Sequence, residues 1–122
     1  MVDEREVTAV PDCLFCKVVR GEVPAQVVHE TERTVAFRDI APAAPTHVLV
    51  VPREHHPDLA TLVGADPALA AEVLAAATDV ARQEGLAEGY RLVVNTGADA
   101  GQSVFHLHVH VLGGRGLGWP PG

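Results

Sequence analysis

A chain of 122 residues, 48% of them apolar and 20% charged, has material for one packed core and is too apolar for disorder. Its formal charge of −7 argues against gripping a nucleic-acid backbone by bulk electrostatics, although backbone amides and a few histidines can still hold one small anion. No apolar run approaches the ~18 residues of a membrane span, and Met1–Glu6 is charged where a secretory signal needs its apolar stretch, so a cytoplasmic protein is expected.

Residues 1–11 read as a polar tail ending at Pro11, and residues 12–122 as a single domain. Asp12 is placed to cap a short helix over Cys13–Arg20, closed by Gly21, with Leu14, Phe15 and Val18 on one face. Gln26–Glu30 and Thr34–Arg38 are short β-branched segments around a charged turn, which suggests a hairpin. His47–Val51 is an apolar run after one polar start, as expected of a strand covered on both faces. Pro42 and Pro45 hold the preceding segment extended.

Asp66-Pro67 opens the strongest helix, which runs to about Glu84 and ends at Gly85, with an apolar stripe of Leu69, Val73, Leu74 and Val80. Tyr90–Asn95 and Val104–Leu112 supply two more strands, joined by a loop of turn formers over Thr96–Ser103. The order predicts an α+β domain with a five-stranded, mostly antiparallel sheet.

Three of the seven histidines fall in His106-Leu107-His108-Val109-His110. Side chains alternate along a strand, so the imidazoles share one face, while Phe105, Leu107, Val109 and Val111 point to the other. A solvent-facing strand that uses histidine three times is the bland alternative. A three-histidine metal site is strained, because positions i and i+4 on a strand lie roughly 13 Å apart. Nucleophilic or acid–base catalysis suits the row better. The loop Gly101-Gln102-Ser103 feeds directly into it, and its amides and hydroxyl can cradle an anionic oxygen beside His108.

These residues resemble the histidine-triad family. His106-Leu107-His108-Val109-His110-Val111-Leu112 fits the family's alternating histidine–apolar motif, and the likeness runs over nearly the whole chain from Cys13. It takes in Phe37–Pro42, Pro45–Pro52, Asn95-Thr96-Gly97, Gly101–Val104, Gly113-Gly114-Arg115 and Trp119-Pro120-Pro121-Gly122, the last of which is closer to the Hint branch than to the Fhit branch. The resemblance implies a homodimer with sheets joined across the interface and a purine nucleotide in each subunit. It implies hydrolysis of purine nucleoside 5′-phosphoramidates through a nucleotidyl-histidine on His108, with no catalytic cofactor. His110 would hold the α-phosphate oxygens, Ser103 would meet the bridging atom of the leaving group, and His47 would support the site. Asp39 would take the ribose hydroxyls, although a turn aspartate is its plainer reading. Leu14, Phe15, Val18, Phe37 and Ile40 would wall the base pocket. Asn95, Gly101, Gln102, Val104 and Trp119 would complete the nucleotide contacts.

Cys13-x-x-Cys16 needs two more ligands to be a zinc site, and the resemblance supplies His55 and His106 for structural zinc. Two buried thiols are the alternative, and a thioredoxin-like redox role is disfavoured because the pair does not follow a strand. His29 and His56 have no evident partner and are expected at the surface. A dinucleoside polyphosphate hydrolase and a nucleotide-sensing protein with little turnover are the competing functions.

Overall fold

The computed structural model describes residues 10–122, so all but the last two residues of the expected tail lie outside the described residues. Helix α1 (Leu14–Val19) is capped by Cys13, one residue later than Asp12, and Gly21 ends it at φ +76°. Strands β1 (Val27–Glu30), β2 (Thr34–Arg38) and β3 (Thr46–Pro52) follow as a meander. A short helix α2 (Leu59–Ala65), unanticipated from pattern, precedes α3 (Pro67–Gln83). Strands β4 (Tyr90–Val93) and β5 (Val109–Gly113) complete one five-stranded sheet of order β1-β2-β3-β5-β4, antiparallel throughout. The predicted α+β architecture is therefore the observed one.

Alternation along the strands divides the core. Ala36, Val48, Val50, Val109 and Val111 face α3, whose Leu69, Val73, Ala77 and Val80 are buried against them. Leu74 is largely exposed and leaves the stripe, because the helix meets the sheet through its small alanines. Asp66 caps α3 by accepting from the Leu69 amide at 3.0 Å, and Pro67 occupies its first turn. On the opposite face Val35, Phe37, Leu49 and Val51 pack with Phe15 of α1.

One strand boundary needs correction. Regular pairing begins only at Val109, so Val104–His108 is an irregular approach and not part of the expected strand. Leu107 is buried as expected, but Phe105 is 52% exposed because the chain leaves the pleat there. Among the described residues no helix is long and apolar enough to cross a membrane.

Candidate functional site

The sheet face that carries Phe15 also carries the histidines. Leu49 pairs with His110, and His47 lies two residues before Leu49 on the same face. His106 has no exposed surface, His108 is 8% exposed, and His110 is half-buried. The Phe15 ring stands edge-on to His108 with centroids 5.0 Å apart and to Phe37 at 5.4 Å. Phe15 is thus a core residue that also stands beside His108, and Phe37 packs against Phe15.

Each imidazole of the triad is held in one tautomer by its neighbours. His106 donates from Nε2 to the Pro52 carbonyl at 2.9 Å, which leaves its Nδ1 lone pair free. His108 does the reverse, donating from Nδ1 to the His106 carbonyl at 2.8 Å and leaving Nε2 unprotonated. His110 depends on His47. The Ala43 amide donates to His47 Nδ1 at 3.0 Å, so the neutral His47 ring carries its proton on Nε2. That Nε2–H faces His110 Nδ1 at 2.9 Å and Asp39 Oδ2 at 3.3 Å. His110 accepts on Nδ1 and presents Nε2–H, a buried donor with no partner among the described residues. Burial favours the neutral forms of His47 and His110. It lowers the pKa of His47 against the opposing pull of Asp39, and with help from His108 and His47 it brings His110 down to about 4.

The ligand contacts expected from sequence divide on position. Asp39 follows β2, where its Oδ1 accepts from the Ala41 amide at 2.8 Å while Oδ2 faces His47, so it is a turn aspartate and a site carboxylate together. Gly101 has φ +93°, a backbone that favours glycine, and Ser103 is exposed just beyond it. The Gln102 side chain is spent within the loop, accepting from the Gly97 amide at 2.9 Å and donating to the carbonyls of Pro57 and Val104. It ties the loop to the segment before α2 and leaves only backbone for a ligand. Asn95, Val18 and Val104 are half-buried, and Leu14 is exposed. Ile40 is fully exposed and Trp119 is 83% exposed, so both stand open to solvent.

Cys13, Cys16, His55 and His106 converge, with all four ligating atoms within 4.8 Å of one another. Cys13 Sγ lies 3.3 Å from His106 Nδ1, Cys16 Sγ lies 3.4 Å from His55 Nδ1 and 3.5 Å from His106 Nδ1, and the two Nδ1 atoms are 3.2 Å apart. Zinc–sulfur and zinc–nitrogen bonds of about 2.3 and 2.0–2.1 Å at tetrahedral angles put neighbouring ligands about 3.3–3.8 Å apart. These four nitrogen–sulfur and nitrogen–nitrogen edges, 3.2–3.5 Å, nearly match those values. Burial lowers both histidines, His106 to about 4, which keeps their nitrogens available as neutral donors. The Pro52 carbonyl orients His106 as an outer partner of a metal ligand does.

Sequence reasoning missed several parts. His56 is buried, pairs with Glu54 at 2.8 Å and accepts the Leu107 amide on its carbonyl at 2.7 Å, so it is not a surface residue. His29 is half-buried beside Gln83. The groups that set the tautomers are the Ala43 amide and the Pro52 and His106 carbonyls, and backbone groups carry no signal in residue identity.

The chain is similar to known proteins. A model of the HIT domain matches residues 20–117. An uncharacterized HIT-like protein of Synechococcus elongatus is 49% identical over 111 residues, covering 91% of this chain and 97% of that protein. A crystal structure of a HIT family hydrolase from Legionella pneumophila superposes with a TM-score of 0.87 at 49% identity, over 91% of this chain and 100% of that one. A histidine triad nucleotide-binding protein from Candida albicans superposes at 0.78 with 32% identity, over 89% of this chain and 83% of that one.

Proposed function

Since the chain belongs to the HIT domain family, we propose that it is a cytoplasmic hydrolase of purine nucleoside 5′-phosphoramidates, acting through a nucleotidyl-histidine on His108. The observation that carries this is the pairing of opposite tautomers in adjacent rings. His108 offers an unprotonated Nε2, and His110, its ring centroid 5.0 Å away, offers an Nε2–H that has no partner among the described residues. A nucleophile beside a hydrogen-bond donor suits attack on a phosphorus whose oxygens need a partner.

His108 Nε2 attacks the α-phosphorus as the phosphorus–nitrogen bond breaks, and the amine leaves with a proton delivered through the Ser103 hydroxyl or water. The adduct is an imidazolium. Its remaining Nδ1–H points at the His106 carbonyl, which steadies the positive charge while keeping the ring a good leaving group. Water then displaces His108 and releases the nucleoside monophosphate. His110 Nε2–H donates to an α-phosphate oxygen throughout. Asp39 Oδ2 receives the ribose hydroxyls, and Leu14, Phe15, Val18, Phe37 and Ile40 enclose the base. Asn95, Trp119 and the 101–104 backbone complete the nucleotide site.

Structural zinc belongs to the same reading, held by Cys13, Cys16, His55 and His106 and supplying cross-linking but no chemistry. The Hint-like Trp119-Pro120-Pro121-Gly122 end supports phosphoramidates over dinucleoside polyphosphates, and a homodimer would give the exposed Ile40 and Trp119 a surface to cover. The test compares turnover of an adenylyl amine with that of diadenosine tetraphosphate and follows nucleotidyl-enzyme by intact mass. The adenylyl amine is expected to be preferred, and His108→Ala to lose several orders of magnitude in kcat while still binding nucleotide. Near wild-type turnover by His108→Ala would refute the mechanism.

A further inference from the structure

The tautomer of His110 rests on that of His47, and His47 is held by an amide in an irregular loop on Nδ1 and by the Asp39 carboxylate, 3.3 Å from its Nε2. Ala43 lies between Pro42 and Pro45, outside the sheet, and its side chain is exposed. A loop amide without ladder support would hold a hydrogen-bond direction poorly. Ala43 is nevertheless gripped from both sides. Its N–H donates to His47 Nδ1 at 3.0 Å, and its carbonyl accepts from Arg115 Nη2 at 3.0 Å.

Arg115 reaches that carbonyl because β5, the strand that carries His110, ends in a glycine reversal against the same loop. Gly114 has φ +90°, and a Cβ there would lie 2.9 Å from the Cβ of Pro45. Only glycine lets the two segments approach so closely. Arg115 also donates from Nη1 to the Gly116 carbonyl at 2.8 Å, and Arg91 of β4 donates to the Gly118 carbonyl at 2.8 Å. Arg20, Arg33, Arg38, Arg53 and Arg82 each meet a carboxylate, whereas among the described residues Arg115 meets none. Its fork is used wholly on backbone carbonyls.

We propose that Arg115 is a positioning residue for phosphoryl transfer, fixing Ala43 so that His47, and through it His110, keep the tautomers that present Nε2–H to the phosphate. The contacts close a circle, from His110 along β5 to Arg115, across to Ala43, then through His47 back to His110. Once Ala43 is loose, only Asp39 Oδ2 still holds the His47 proton on Nε2, and a larger fraction of the rings carries it on Nδ1. His47 Nε2 then accepts, His110 Nδ1 donates to it, and His110 turns a lone pair toward the phosphate oxygens it should bind. This role rests on the function proposed above, but its key observable does not require a substrate.

The experiment is long-range proton–nitrogen NMR of the histidine side chains at pH 7.5 in wild type, Arg115→Ala and Arg115→Lys, together with kcat and KM on an adenylyl amine. In wild type, His47 and His110 should each show a single protonated Nε2. Arg115→Ala should move the nitrogens of both toward values averaged over two tautomers while His108, tied to the His106 carbonyl, stays unchanged. kcat should fall about tenfold with KM altered less than about threefold. Arg115→Lys, which retains one donor, should recover part of both signals. Unchanged His47 and His110 shifts in Arg115→Ala would overturn the inference, and so would an equal change at His108, which would mean general loosening. A wild-type enzyme inert toward phosphoramidates would defeat the proposed function and leave the tautomer result to decide this one.

Discussion

Zinc removal offers a quantitative test of the Cys13, Cys16, His55 and His106 cluster. The four donors join α1, the segment after β3 and the approach to β5, three parts of the chain far apart in sequence. Ligand bound only to the folded state at about 1,000 times its dissociation constant stabilises by about 4 kcal/mol. Unfolding entropy of about 2.1 cal/mol/K per residue gives about 0.26 kcal/mol/K for 122 residues, so the expected rise in Tm is about 15 °C. The assay is calorimetry of chelator-stripped protein with and without stoichiometric zinc, alongside metal content by mass spectrometry. Cys13→Ser/Cys16→Ser should hold no zinc and show no rise. A stripped wild-type chain that takes up no zinc, or takes it up with a Tm change under about 3 °C, would refute the reasoning, since a four-ligand cross-link absent from the unfolded chain cannot be thermally silent.

Stability should also depend on pH through the second histidine cluster. Burial holds the folded pKa of His110 near 4 and that of His47 below its ordinary value, so between about 4 and 6.5 the unfolded chain binds protons that the native state refuses. Stability is then greatest above 6.5 and is lost as pH falls toward 4. The denaturant midpoint should drop between pH 7 and 4.5, and less steeply in His110→Gln; identical slopes would exclude His110 as a source. The proposed homodimer predicts a mass near twice the 12.9 kDa chain in light scattering at micromolar concentration, and a stable monomer there would exclude it.

Residue identity and spacing determined most of the frame. The β-branched segment, the apolar run and the Asp66-Pro67 cap are local, and they located β2, β3 and α3 nearly to the residue. The histidine row and the Cys-x-x-Cys pair were visible as chemistry because few residue types perform it. The limits of the sequence appear where one element's geometry depends on another. Val104–His108 reads as strand but lacks a ladder partner, so Phe105 turns out to solvent and His106 sinks beside the cysteines. His56 has no distinguishing neighbour in the sequence, yet folding buries it and sets its carbonyl on the Leu107 amide. Above all, which nitrogen of each imidazole carries the proton is invisible in sequence. Three histidines of one row differ only in whether Pro52, His106 or His47 meets them, and those meetings exist only once β3, β5 and the loop bearing Ala43 have packed together.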